Sequence, residues 1–153
     1  TYYSKFNKNR KGEIVMGLDC YIKHANEDKL FKSKRLENLG LCGAMFSGHG
    51  NGSFRGKVYE NFITWLMELN DPDCVGHTWH IEPGEHIQSD TLQLYGKLIQ
   101  DYLEVLREEN PSLQADDVVL EAEFDGYYIR ELEDLALLFE IAAENKCIME
   151  TWW

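Results

Sequence analysis

Hydrophobic and polar positions alternate strictly in the first regular stretch of the chain. Ile14, Met16, Leu18, Cys20 and Ile22 fall on one side, with Val15, Gly17, Asp19, Tyr21 and Lys23 on the other. A period of two is that of a β-strand with one face on a core. Residues 24–38 are charged and turn-like, with room for a short edge strand at Leu30-Phe31. Residues 39–46 (LGLCGAMF) form a short apolar run that predicts a buried strand, weakened by its two glycines.

The period then changes to that of a helix. Val58, Phe62, Trp65, Leu66 and Leu69 recur on one stripe, and Asn70-Asp71-Pro72-Asp73 ends it. Residues 78–81 predict a short strand before Pro83-Gly84. Ser89 or Asp90 is the expected N-cap of a long helix running to about residue 109. Its stripe is Leu92, Tyr95, Ile99, Tyr102, Leu103 and Leu106, and Asn110-Pro111 stops it. Val118, Leu120, Ala122 and Phe124 alternate with Val119, Glu121 and Glu123, predicting a strand closed by Asp125-Gly126. A last helix is expected over 128–144. Its core face is Leu132, Leu135, Ala136, Phe139, Ala142 and Ala143, and Glu131, Asp134, Glu140 and Glu144 lie largely away from it. Residues 147–153 (CIMETWW) read as a closing strand. Irregular strand spacing favours an α+β single domain, with three helices packed on a sheet of four or five short strands. The domain is expected over 16–153, with residues 1–15 a basic N-terminal arm or extension.

Composition sharpens this outline. Across 153 residues, eight Tyr, seven Phe and four Trp belong to a chain that packs a core, not to a disordered acidic tail. The net charge of -12 is uneven: residues 1–89 hold eleven bases and eleven acids, residues 90–153 four and sixteen. Such acidity argues against direct nucleic-acid binding and against binding to anionic membranes. No apolar run is long enough for a membrane span, and the polar, basic start is not a secretory signal. Cys20, Cys42, Cys74 and Cys147 are scattered without a C-x-x-C pair, which fits reduced thiols and a cytoplasmic protein. Trp152-Trp153 are expected to be pinned on the core or on a second chain, leaving a homo-oligomer open.

Two constellations could carry chemistry. The first is the Gly-rich stretch SGHGNGSFRG, entered from an apolar run and left into a helix. Its backbone N–H groups and the helix dipole suit an anion. The candidate contacts are Gly48, His49, Gly50, Asn51, Gly52, Ser53, Arg55 and Lys57. No P-loop or G-x-G-x-x-G spacing is present, so a surface loop with tight turns is the plainer alternative. The second is Cys74, His77, His80 and His86, ligand types that suit zinc in a spacing that matches no familiar site. Its plainer alternative is a polar loop anchored in the core by Trp79. Asp19 is a carboxylate in mid-strand; were its face covered, Arg55 or His49 would be its partner. Cys42, in an apolar run, reads as an inert thiol.

Met16-Gly17-Leu18-Asp19-Cys20-Tyr21, Gly52-Ser53-Phe54-Arg55-Gly56-Lys57-Val58-Tyr59 and the terminal Trp152-Trp153 carry a resemblance. The chain resembles a group of small bacterial and phage hypothetical proteins that open with M-G-L-D-x-Y and carry G-S-F-R-G-K-V-Y. The resemblance spans residues 16–153 and implies no activity and no cofactor. It does imply that Met16 is an alternative start.

The leading expectation is a small protein that binds an anionic small molecule, a nucleotide among the candidates, at residues 48–57. One alternative is an interaction or inhibitor protein, phage-related, that meets a protein partner through its acidic C-terminal half. The other is a metal-dependent hydrolase built on residues 74–86.

Overall fold

The computed structural model describes residues 19–23, 39–42, 53–73, 79 and 85–152. Its elements are β1 (Asp19–Lys23), β2 (Ser53–Phe54), α1 (Gly56–Asn70), α2 (Ser89–Glu109), β3 (Val118–Val119), α3 (Glu121–Phe124), β4 (Tyr127–Tyr128), α4 (Ile129–Glu144) and β5 (Ile148–Trp152). The fold is α+β, as expected. Among the described residues the strands divide into an antiparallel sheet in the order β2-β1-β5 and a separate β3-β4 ribbon. The basic arm at 1–15, the edge strand at Leu30-Phe31 and the strand at 78–81 fall outside the described residues, save for Trp79.

β1 runs down the middle of its sheet, with Cys20 opposite Phe54 on one side and Thr151 on the other. The alternation of the sequence is realised here: Cys20 and Ile22 are buried while Asp19 and Lys23 are exposed. On the far side of β5, Ile87 exchanges two backbone hydrogen bonds of 2.9 Å with Met149.

Among the described residues, α2 and α4 supply half of the buried apolar side chains. α4 buries Ile129, Leu132, Leu135, Ala136, Leu138, Phe139, Ile141 and Ala142, an arc wide enough to need cover from more than one side. α2 supplies Leu92, Tyr95, Leu98, Ile99 and Leu103. The two helices approach closely at Gly96, where a Cβ would stand 3.4 Å from the Ala136 carbonyl oxygen and 3.2 Å from the Glu140 side chain. Trp79 is fully buried and meets Phe54, Phe139 and Tyr95 at ring separations of 5.7, 6.4 and 6.5 Å. It thereby ties the sheet to both long helices, which is the anchoring role expected of it.

Four local expectations are corrected. The alternation at 118–124 yields only two strand residues: Leu120 turns left-handed at φ 61°, and α3 follows. Of the strand expected over 39–46, residues 39–42 are not strand and only Leu41 of these four is buried, while 43–46 lie outside the described residues. α1 buries Tyr59, Phe62, Ile63 and Leu66, a face rotated from the predicted stripe, and Leu69 is 62% exposed beyond the end of the core. The N-cap of α2 is Gln88, so Ser89 and Asp90 are its first two helical residues; Asp90 accepts the Thr91 N–H at 2.8 Å.

Candidate functional site

α1 begins directly after β2. Arg55 is its N-cap and makes no side-chain capping bond, and the first turn holds no acid. The leading N–H groups of a helix lack intrahelical partners and carry a partial positive charge. Lys57 lies in that turn and is buried; its ammonium is pulled below the usual lysine range, first by burial and then by the charge of Arg55. Arg55 itself is exposed, with Nε 3.9 Å from Asp19 Oδ1, also exposed. Ser53 does not sit on a surface loop: it is 2% exposed in β2, opposite Tyr21. Gly48, His49, Gly50, Asn51 and Gly52 lie outside the described residues. Of the candidate contacts, Arg55 and Lys57 are therefore brought together at one helix start.

Next to this start is a polar junction that the sequence did not announce. Side chains hold part of residues 39–42. The Gly40 N–H donates to Asp134 Oδ2 at 2.8 Å, and the Cys42 N–H to Tyr59 Oη at 2.9 Å. Tyr59 in turn donates its hydroxyl hydrogen to Glu131 Oε2 at 2.5 Å. The Arg55 N–H donates to the Cys42 carbonyl at 2.7 Å, which joins the junction to the start of α1.

Glu131 also accepts from the Tyr128 N–H. Tyr128 is the N-cap of α4, so Glu131 supplies the carboxylate half of a capping box. Burial raises the Glu131 carboxyl above its ordinary range despite the opposing pull of Tyr59, Tyr128 and Arg130, and Asp134 adds to the rise. The Tyr59 hydroxyl is pushed far above the usual tyrosine range by burial and by Glu131. Cys42 is exposed, and its thiol too is raised, by partial desolvation and by Glu131 against the pull of Arg55. A thiol so placed stays protonated near neutral pH and is a poor nucleophile. An open pocket of about 190 Å³ lies over the junction, lined by Cys42, Val58, Phe124, Asp125, Gly126, Tyr127 and Glu131.

Most of the expected metal cluster lies outside the described residues. Cys74, His77 and His80 lie outside them, and His86 stands with Nε2 3.9 Å from Glu150 Oε2. Glu150 also accepts the Tyr21 hydroxyl and has Lys23 Nζ at 3.8 Å, so His86 belongs to a polar group on the sheet. Among the described residues no group of three or more His, Cys, Asp or Glu could hold a metal ion.

Glu131 was expected to face outward from the last helix, and it turns inward. A glutamate three residues after a helix start is a recognisable capping signal. Its partner Tyr59, 72 residues away, carries no local signal. No protein-family model matches the chain, and neither the curated proteins nor the solved structures provide a match.

Proposed function

We propose that the chain is a small-ligand-binding protein that takes an anionic molecule, a nucleotide first among the candidates, at residues 48–57 and the start of α1. One observation carries the reading: Arg55 and the partly desolvated Lys57 crowd the uncapped, acid-free first turn of α1 in a chain of net charge -12. Two cations beside a helix N-terminus repel one another, and an anion there relieves the repulsion. Titration calorimetry with nucleoside phosphates and inorganic phosphate tests it. Wild type is expected to bind, and Arg55→Ala and Lys57→Met to bind at least tenfold more weakly. No wild-type response, or an equal response from both variants, rejects it.

A second reading has its own support in the acidic half. Three of the four bases in residues 90–153 are spent on ion pairs within that half, Lys97 with Asp101, Arg107 with Glu133 and Arg130 with Asp116. Glu104, Glu108, Glu109, Asp117, Glu121 and Glu123 remain exposed. Such a surface suits a basic protein partner, although acidic faces commonly serve only solubility. Capture of basic proteins at low salt that is lost at high salt supports this reading; salt-insensitive capture, or none, counts against it.

A further inference from the structure

We propose that the aromatic seam where α1, α2 and α3 meet is a docking surface for a basic amphipathic helix of a partner protein. The inference rests on the second reading above, in which the acidic half meets a basic partner. It adds where that partner sits and what it must bring besides charge.

The seam is built from rings. Trp65 of α1 lies 5.6 Å from Tyr102 of α2 and 5.8 Å from Phe124 of α3, and all three are half-buried. The fully buried Phe62 backs each of them, at 6.3 Å from Trp65, 5.7 Å from Tyr102 and 6.2 Å from Phe124. Rings braced in this way lose little freedom when something binds. Residues three or four apart share a helix face, so Leu69 continues the Trp65 side of α1 and Val105 the Tyr102 side of α2. Leu69 is 62% exposed and Val105 51%. Isolated exposed apolar side chains are ordinary on any protein. These two instead extend rows that already meet at a ring contact.

Carboxylates border the same rows. Burial first, then Glu123 and Glu109, push the Tyr102 hydroxyl up to about 12, so both acids act electrostatically on the seam. Glu68 adjoins Leu69, Glu104 adjoins Val105, and Glu108 follows one turn on; all three are exposed. Among the described residues none of these five glutamates is in an ion pair. The rest of the chain does not cancel the excess, because the net charge of -12 already counts every lysine and arginine.

An apolar strip bordered by acids is the complement of a helix whose apolar stripe is flanked by lysine and arginine. Charge selects that occupant over the others. A second copy of the chain would set these carboxylates against their like, and nucleic acid or an anionic membrane would set phosphate against them.

Three synthetic peptides of about 18 residues, five helical turns, separate the contributions. One is a Lys/Leu amphipathic helix, one has the same composition reordered so that no apolar face forms, and one keeps the amphipathic order with Glu in place of Lys. Titration calorimetry with the full chain gives affinities, and NMR shifts of the Leu69 and Val105 methyl groups locate binding. The amphipathic basic peptide is expected to bind and saturate those shifts. The reordered peptide should bind at least tenfold more weakly, and the acidic one should leave the methyl groups unchanged. Leu69→Ser combined with Val105→Ser, both at exposed positions, should weaken the amphipathic basic peptide at least fivefold and leave the reordered one as it was. Glu104→Gln combined with Glu108→Gln should weaken both basic peptides at least threefold. Equal binding of the two basic peptides, or wild-type affinity in either double variant, overturns the proposal while leaving the acidic half free to attract basic partners by charge alone. No binding of either basic peptide overturns both. A wild-type dimer in sedimentation that Leu69→Ser with Val105→Ser dissolves would assign the strip to a second copy, which also overturns the proposal.

Discussion

α4 is held in two different ways along its length. From Leu132 to Ala142 it lies against α2 through apolar side chains, most of them fully buried. At its first turn it is held by hydrogen bonds that reach residues 39–42 and α1 through Asp134 and Glu131. The first contact is non-directional and spread over many side chains, so each tolerates modest change in shape. The second is directional and carried by a few atoms, and losing one leaves another buried and unsatisfied. The pocket sits at the second, where polar groups meet in a partly buried junction.

The largest effect is expected in the apolar length. The Phe139 ring is 5.5 Å from Tyr95, 6.0 Å from Phe54 and 6.4 Å from Trp79. Phe139→Ala should destabilise by about 3–5 kcal/mol, a large share of the stability of an ordinary domain. Urea unfolding measures it; a loss near 1 kcal/mol or less would show that this interface carries far less of the fold than its burial implies.

Tyr59→Phe comes next, expected to cost about 1–3 kcal/mol, since it removes the donor to Glu131 and the acceptor of the Cys42 N–H together. The contrast with the apolar length sharpens in a double-mutant cycle with Glu131→Gln. Groups sharing one hydrogen bond should couple by about 0.5 kcal/mol or more, whereas Phe139→Ala and Tyr59→Phe, linked through the shared neighbour Phe54 but with the Tyr59 ring kept, should be closer to additive. Additivity in the Tyr59–Glu131 cycle breaks the comparison.

A pH series separates the two regions without disturbing the core. In the folded chain Glu131 keeps its proton to higher pH than the ordinary carboxylate value of 4.5. Between the unfolded and folded values the native state binds more protons, so stability falls as pH rises through that window. The contribution is complete below the unfolded value and lost above the folded one. Relative to Glu131→Gln, wild type should therefore lose stability as pH rises above the ordinary carboxylate value of 4.5. A difference that is flat or runs the other way contradicts the inward placement of Glu131.

The same contrast explains what could be read from the residues. The stripes of α2 and α4 were legible because periodic apolar positions state their own burial, and Trp79 because so large a side chain is rarely left wet. The strand expected at 118–124 fails for a reason alternation does not contain. Leu120 and Asp125 take left-handed conformations, Gly126 follows at φ 92°, and a Cβ there would stand 2.6 Å from Val118. These turns bring Tyr127 back against α1, so the chain needs a reversal where the pattern suggests extension. Residues 39–42 mislead in the opposite sense. Their apolar composition suggests a strand, yet the N–H groups of Gly40 and Cys42 are satisfied by Asp134 and Tyr59, contacts 94 and 17 residues distant. Arg55 and Lys57 stand at the helix start that the change of period marks, while the placement of Glu131 and Tyr59 depended on tertiary contacts.

The smallest structural effect is expected at Arg55, and its smallness makes it informative. Its guanidinium is exposed and stands 3.9 Å from an equally exposed Asp19, a geometry in which an ion pair contributes about 0.2–1 kcal/mol or nothing. The backbone bond from the Arg55 N–H to the Cys42 carbonyl survives truncation of the side chain. Arg55→Ala should therefore leave the urea midpoint of the unliganded protein within experimental error of wild type. The midpoint shift produced by saturating phosphate or nucleotide should shrink with it, because ligand stabilisation follows the change in Kd. A variant that loses stability without ligand would make Arg55 part of the junction that holds α4. One that keeps the full ligand-induced shift would remove it from the anion site, leaving Lys57 and the first turn of α1 to account for any binding.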